Sequence, residues 1–189
     1  MQLLHHRARE LALKDAFTFA SLGFGLMAIF YAIEGNPFAP WFIPLSVIAD
    51  WLDGKVARLM NQSNEFGVQL DSLADACAFG MTPAVLCVLF SHSLSDYLVI
   101  GAAIFFAICV LARLAWFNIQ DPQLEKGVYY GIPSTHVSWL SVGFAAYFGF
   151  SREATAASLV IFGLAAVSGF KFSKATMKKA FGPVGFIFG

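Results

Sequence analysis

Charged residues are scarce in this sequence, and their scarcity excludes most classes of soluble protein. Only 13% of the 189 residues are charged, whereas 58% are hydrophobic and the mean hydropathy is +0.69. A soluble domain carries about 25% charged residues, so this chain has too little charge to cover a water-exposed globule. The composition therefore predicts an integral membrane protein.

Cysteine is also scarce, and no CxxC motif is present. The three cysteines, Cys77, Cys87 and Cys109, fall inside long apolar runs. This pattern argues against a disulfide framework, and we expect small, buried hydrophobic side chains at all three positions. The sequence also lacks internal repeats and low-complexity tracts. Because residues 1–15 are charged rather than apolar, no cleavable signal peptide is predicted.

What the sequence does contain is a series of long apolar runs. A transmembrane helix needs about 20 mostly apolar residues. We therefore predict an all-α integral membrane domain of residues 1–189 with six transmembrane helices, at about 16–33, 40–59, 67–90, 97–117, 134–150 and 154–170. Residues 2–13 predict a short amphipathic helix at the membrane surface, and Pro83 predicts a kink in the third span.

The basic residues are distributed unevenly between the two predicted membrane faces. Six spans place both termini on one side, and that side would carry all of the 12 Lys and Arg residues except Arg152. Cytoplasmic segments of membrane proteins are enriched in Lys and Arg. We therefore expect a protein of the inner membrane, or an equivalent membrane, whose two termini and loop 119–130 are cytoplasmic.

Four aspartates interrupt the apolar pattern within 26 residues. Asp50 and Asp53 are three residues apart, and Asp71 and Asp75 are four apart, so each pair projects from one face of its helix. If the two faces meet, four carboxylates converge where the dielectric constant is low, and they can coexist only with bound cations. Ligands that offer only oxygen favour Mg²⁺ or Mn²⁺. The simpler alternative is that the aspartates cap helices or face water, but intramembrane acids are costly and usually functional.

The spacing of the aspartates and of their small neighbours resembles the signature of the CDP-alcohol phosphatidyltransferases, D-x2-D-G-x2-A-R-x8-G-x3-D-x3-D. Every fixed position is present: Asp50, Asp53, Gly54, Ala57, Arg58, Gly67, Asp71 and Asp75. The resemblance implies a six-helix membrane enzyme with two Mg²⁺ or Mn²⁺ ions. Such an enzyme transfers a phosphatidyl group from a CDP-linked lipid to an alcohol and releases CMP. It also implies that the four aspartates are metal ligands and that Asp75 is the general base.

The small residues of the signature and its arginine are candidates for binding the CDP-lipid. Gly54, Ala57 and Gly67 would leave room for cytidine and phosphate. Arg58 would contact a phosphate, unless it only anchors its helix at the membrane surface.

The first span offers a further candidate for binding the nucleotide. It resembles the family segment Pro-Asn-x-x-Thr-x-x-Asn-x-x-x-Gly at Thr18 and Gly25, whereas Asp15 and Ser21 stand in place of asparagines. Thr18 is therefore a candidate contact to the CDP-lipid. The alternative is that the small residues of this helix, Ser21 and Gly25, pack against a neighbouring helix.

Three other segments resemble the phosphatidylserine synthase branch of the family: residues 71–84, residues 113–118, and Gly131-Ile132-Pro133. The resemblance implies L-serine as the acceptor alcohol, with Arg113, Asn118 and Ser134 as candidate contacts to the acceptor or to a phosphate. Inositol phosphate or glycerol phosphate remains an alternative acceptor, and CDP-archaeol an alternative donor. A dianionic acceptor would need more cationic groups than loop 119–130 offers.

The expected partners are therefore a CDP-lipid, a small polar alcohol, membrane lipid and a second copy of the chain in a homodimer, with no nucleic acid. A transporter or channel whose intramembrane acids bind ions is the rival class. The four aspartates lie near one predicted membrane face, however, rather than at the midplane where transporter sites lie.

Overall fold

The computed structural model describes residues 13–60, 65–92, 96–119, 128–169 and 171–173. The predicted amphipathic helix 2–13 lies outside these residues, apart from Leu13. The described helices begin with α1 (Leu13–Ile33), followed after one turn of 3₁₀ helix (Ala39–Trp41) by α2 (Phe42–Met60). A third helical segment comprises α3 (Glu65–Asp75), a π-helical stretch (Ala76–Met81) and α4 (Thr82–Phe90). Helices α5 (Tyr97–Ile119), α6 (Ser134–Tyr147) and α7 (Arg152–Val167) complete the set.

The fold is helical apart from one short ribbon that the all-α prediction did not include. Strand β1 (Val128–Tyr130) pairs antiparallel with β2 (Lys171–Ser173), with Tyr129 opposite Phe172. Aromatic residues favour extended backbone, and three residues are too few to give a periodic signal. The ribbon joins the segment before α6 to the segment after α7.

Three of the described helical segments are long and apolar enough to cross a membrane: Asp15–Ile33, Gly67–Phe90 and Tyr97–Ile119. Helix α2 carries several charged residues, and α6 and α7 have only 14 and 16 residues, fewer than the roughly 20 that a hydrocarbon core requires. The chain is thus a helical membrane protein, and six crossings remain a prediction.

Apolar side chains form the interior, and many large apolar side chains also cover the outside. Phe79, Phe106 and Leu159 are fully buried, while Phe30 and Ile108 are among many exposed apolar residues. Helices α5 and α7 approach closely, because a Cβ added at Gly163 would lie 3.3 Å from the Phe106 Cα atom. An apolar outer surface over a packed core is what a lipid environment favours.

The third helical segment changes from α to π geometry directly after Asp75. Pro83 has no N–H to donate to the carbonyl group four residues earlier. The Thr82 N–H donates to the Cys77 carbonyl oxygen, five residues back, and the Thr82 hydroxyl donates to the same oxygen at 3.0 Å. Pro83 lies in the first turn of α4, directly after the π stretch, and the kink predicted there stays a prediction.

Helix α1 packs tightly against this π stretch. A Cβ at Gly25 would lie 3.1 Å from the Ala78 Cα atom and 3.1 Å from the Thr82 Oγ1 atom. This contact is the helix-packing role that the sequence offered as an alternative for Gly25.

Two contacts define the ends of the helix bundle. At the start of α5, the Arg152 guanidinium donates to the Asp96 carboxylate and so links the starts of α5 and α7. These two helices therefore run in the same direction. The β1–β2 ribbon lies at the opposite end of α7, beyond Val167. We call these the Asp96 end and the ribbon end.

Candidate active site

Three aspartates from two helices meet at the ribbon end of the bundle. Asp50 comes from α2, and Asp71 and Asp75 come from adjacent turns of α3, because a four-residue spacing returns to the same helix face. Each offers a carboxylate oxygen, and these oxygens all lie within 4.8 Å of one another. The carboxyl groups of Asp50 and Asp75 are close enough to share a hydrogen bond. Sequence analysis predicted this convergence, and the structure brings these three side chains together.

Asp53 lies beside this group but does not join it in the structure. It is three residues beyond Asp50 on α2 and interacts electrostatically with it. Its buried carboxylate accepts a hydrogen bond from the Thr18 hydroxyl of α1. Thr18, a candidate contact to the CDP-lipid, is thus directed at an aspartate of the signature.

A single arginine from α5 faces the three aspartates. The Arg113 guanidinium lies within electrostatic range of the Asp75 carboxylate. Its Nε atom is buried and has no hydrogen-bond partner within the described part of the chain. Three carboxylates next to one guanidinium leave an excess of negative charge when all are ionised. A cation could neutralise this excess, and carboxylate oxygens suit Mg²⁺ or Mn²⁺.

The other acceptor candidates, Asn118 and Ser134, lie at different depths in the bundle. Asn118, exposed near the end of α5, donates from Nδ2 to the Ser72 Oγ atom at 2.9 Å. Ser72 directly follows Asp71, so this bond ties α5 to α3 beside the acidic group. Ser134 is buried at the start of α6. The neighbouring His136 is buried as well and lies within electrostatic range of Arg113.

The remaining candidates for the CDP-lipid lie on the same two helices as the aspartates. Gly54 is exposed on α2 and Gly67 is buried on α3. Ala57 and Arg58 lie in the last turn of α2, where only the backbone is described. Their roles remain predictions.

Sequence reasoning missed two serines that help to build the site. Ser72 bonds to Asn118, and the Ser46 hydroxyl donates to the Ser21 carbonyl oxygen at 2.8 Å. Ser46 is seven residues before Asp53 and therefore shares its helix face. Ser46 could have been identified from the sequence, because it is a lone serine in an apolar run and lies on the same helix face as a signature aspartate.

Comparison with known proteins agrees with this geometry. The sequence profile of the CDP-alcohol phosphatidyltransferase family matches residues 11–170. A Helicobacter pylori protein named CDP-diacylglycerol–serine O-phosphatidyltransferase is 37% identical over 120 residues, which cover 63% of this chain and 51% of the relative. A Mycobacterium tuberculosis protein of the same name is 39% identical over 129 residues, or 65% of this chain and 44% of the relative.

An archaeal relative extends the match. A Methanocaldococcus jannaschii protein, also named CDP-diacylglycerol–serine O-phosphatidyltransferase, is 34% identical over 164 residues, covering 87% of this chain and 75% of the relative. The matched region is about half the length of the Helicobacter relative. Since the profile covers most of the sequence and three of the four signature aspartates converge, the chain belongs to the CDP-alcohol phosphatidyltransferase family.

Proposed function

We propose that this protein transfers a phosphatidyl group from CDP-diacylglycerol to the hydroxyl of L-serine and releases CMP. The observation that carries the proposal is the convergence of Asp50, Asp71 and Asp75 beside Arg113 in a chain of this family. The names of the relatives support serine as the acceptor.

The acidic group is the proposed metal centre. Asp50, Asp71 and Asp75 would hold Mg²⁺ or Mn²⁺ together with Asp53, and the oxygen-only donor set fits such ions. Two bound ions would neutralise the diphosphate of the CDP-lipid and the charge that develops on departing CMP. In the absence of cations, the three carboxylates would repel one another and the substrate diphosphate.

Asp75 is the proposed general base. Its carboxylate would take the proton of the serine hydroxyl as the hydroxyl oxygen forms a bond to the phosphatidyl phosphorus. The bond between that phosphorus and the CMP oxygen breaks, and CMP leaves with the electron pair. Asp75 lies within electrostatic range of Asp50, Asp71 and Arg113, and we expect the acceptor to approach from the side of Arg113.

The CDP-lipid would lie along the signature helices. Gly54, Ala57 and Gly67 would give the nucleotide room, and Arg58 would contact a phosphate. These assignments follow from family membership together with the position of the residues on α2 and α3.

The acceptor site is proposed around Arg113, Asn118 and Ser134. Serine has one carboxylate, one ammonium group and a neutral nucleophile. Arg113 offers a buried guanidinium close to the proposed base, which suits a single carboxylate. Inositol phosphate or glycerol phosphate would bring two more negative charges toward three aspartates, and one arginine would not balance them.

A panel of labelled acceptors tests this function. Purified protein in detergent is given CDP-diacylglycerol and Mg²⁺ or Mn²⁺ with labelled serine, inositol phosphate or glycerol phosphate. CDP-archaeol serves as a second donor, and the Asp71→Asn variant is the negative control. We expect a lipid product and CMP with serine only. If another acceptor is consumed, the proposed specificity for serine is wrong. If no acceptor yields a product, the proposed transferase activity is wrong.

Six membrane crossings, with the site and both termini in the cytoplasm, are proposed for the arrangement in the membrane. The Asp96–Arg152 pair and the β1–β2 ribbon lie at opposite ends of α7, which supports alternating crossings. Single cysteines at Ser151 and Gln2, in a chain with its three cysteines replaced, test this arrangement. In intact cells an impermeant maleimide should label the Ser151→Cys variant but not the Gln2→Cys variant; the reverse pattern would invert the topology.

Two expectations about organisation remain predictions. The chain would form a single membrane domain and would assemble as a homodimer. The mass of the protein in its detergent complex, measured by light scattering, checks the homodimer.

A further inference from the structure

Four buried polar residues form hydrogen bonds between α1 and α2. Thr18 donates to Asp53, and the Ser21 and Ser46 hydroxyl oxygens lie 2.9 Å apart. The accessible fractions of Thr18, Ser21, Ser46 and Asp53 are 3%, 3%, 0% and 5%. We call these four residues the α1–α2 ladder. It lies within a tight helix interface, where buried polar groups need partners.

The ladder fixes the rotation of α2 about its own axis. Thr18 and Ser21 are three residues apart on α1, and Ser46 and Asp53 are seven apart on α2, so each pair lies on one face. Hydrogen bonds at two levels along an interface resist rotation better than one. Asp50 is displaced by only about 60° around the same helix from Asp53, so the ladder also affects the direction in which Asp50 points.

The two ends of the ladder differ in the hydrogen-bond partner of the α1 hydroxyl group. The Thr18 hydroxyl bonds to a carboxylate that neighbours the acidic group, whereas the Ser21 hydroxyl, within the described part of the chain, bonds to another serine. A hydrogen bond to an ionised carboxylate is shorter and stronger than one between neutral groups. Thr18 can therefore hold the Asp53 carboxylate in one orientation, whereas Ser21 can only support helix packing.

We infer that Thr18 is a positioning residue that holds the Asp53 carboxylate next to the metal centre. The inference rests on the proposed function, because it requires Asp50, Asp71 and Asp75 to bind a divalent ion. It differs from the nucleotide contact that the family resemblance implies for Thr18. The hydroxyl acts through Asp53, and its loss affects the affinity for metal before it affects the affinity for the CDP-lipid.

Metal binding by Thr18 variants tests this inference. The Thr18→Val variant keeps the shape of the side chain and loses the hydroxyl, Thr18→Ser keeps the hydroxyl, and Ser21→Ala is the matched control from the same ladder. Mn²⁺ binding to metal-depleted protein in detergent is followed by electron paramagnetic resonance. Mg²⁺ titrations of CMP release and the KM for CDP-diacylglycerol are measured on the same preparations.

Loss of the hydroxyl should weaken Mn²⁺ binding about tenfold, the lower end of the effect expected when a group that orients a metal ligand is removed. Thr18→Ser and Ser21→Ala should remain within about twofold of the wild type, and the KM for CDP-diacylglycerol should not change in any of them. In an Asp53→Asn background, Thr18→Val should have no further effect, because the hydroxyl acts through Asp53.

Several results would overturn the role of Thr18. These are unchanged Mn²⁺ binding in Thr18→Val, an equal loss in Ser21→Ala, or a higher KM for CDP-diacylglycerol with normal metal binding. If Thr18→Val does not fold, as judged by its elution profile, Thr18→Ala takes its place with the same expectations. A wild type that binds no Mn²⁺ would instead overturn the metal centre, so the two failures are distinguishable.

Discussion

Acidic and basic side chains meet at both ends of α5, but in different proportions. At the Asp96 end, Arg152 pairs with two acids: the Asp96 carboxylate and, at 3.6 Å, Glu153. The side chains of Asp96, Arg152 and Glu153 are 22%, 51% and 78% accessible. At the ribbon end, Asp50, Asp71 and Asp75 lie together next to Arg113. The same residue types therefore occur in two different balances of charge.

The difference separates a structural contact from a functional one. Exposed ion pairs are worth little, because water and salt screen their charges. Three crowded carboxylates in a partly buried site are unfavourable unless a ligand compensates them. The ribbon end therefore carries uncompensated negative charge that a bound cation can neutralise. The Asp96 end needs no such ligand.

The largest effect should come from removing one acid at each end. Asp71→Asn should lower CMP formation by about a thousandfold, because a metal ion contributes several kcal/mol to the transition state. Asp96→Asn removes the same charge at the other end and should leave the rate within about twofold. Both are measured as CMP release, and EDTA should abolish the wild-type activity. Full activity in EDTA would show that the ribbon end needs no divalent cation and would contradict the proposed difference between the two ends.

Replacing the proposed base should produce the next largest effect. Asp75→Asn should lower kcat by about a hundredfold or more, since general base catalysis contributes about that much, while the KM for CDP-diacylglycerol changes little. Both constants are measured with saturating serine. If the affinity for the lipid and the turnover fall together, Asp75 serves mainly in binding and is not the general base.

The two arginines give a third comparison. Arg113→Ala should raise the KM for serine about ten- to hundredfold, the affinity that a charge-assisted hydrogen bond supplies. Arg113→Lys should restore only part of this, because lysine lacks the planar fork of donors. Arg152→Ala is the matched control and should not change the KM. An unchanged KM in Arg113→Ala would leave this arginine as a membrane anchor.

The smallest effect concerns stability at the Asp96 end. The hydrogen bond from Arg152 lowers the pKa of Asp96 from its ordinary value of 3.8. A lowered folded-state pKa stabilises the protein above the unfolded value, and this stabilisation is lost as the pH falls through the folded-state pKa. Asp96→Asn should therefore melt about 2 °C below the wild type at pH 7, and the difference should shrink as the pH falls below 3.8. Glu34→Gln, which changes an exposed acid just after α1, is the control, and a difference that grows in acid would contradict this sign.

Much of the helical arrangement could be predicted from sequence, because long apolar runs and helical spacing are local properties. The meeting of Asp50 with Asp71 and Asp75 was predicted as well, from spacing and from the family signature. The bond from Thr18 to Asp53 could not be predicted, because it joins residues 35 apart. It depends on how α1 and α2 are rotated against each other, and no local pattern encodes that rotation.

Two other features escaped sequence reasoning for related reasons. The β1–β2 ribbon pairs segments that are distant in the chain, and three residues per strand carry almost no periodic signal. The π stretch after Asp75 has the same apolar composition as an ordinary helix. Pro83 predicted a kink, whereas the π stretch lies just before it in the chain.

The π stretch gives this segment one residue more than an α-helix would have over the same turn, because its hydrogen bonds reach five residues back instead of four. Adding or removing one residue of a regular α-helix turns everything on one side of it by about 100° relative to the other side. Such a change in α4 ahead of Leu86, a core residue, would turn Asp71 and Asp75 away from Asp50. A single-residue deletion within Ala76–Met81 would instead convert the π stretch into α-helix and leave both acids in phase with the core. In evolutionary terms, the π stretch is a place where this segment can lose a codon and keep its acids together.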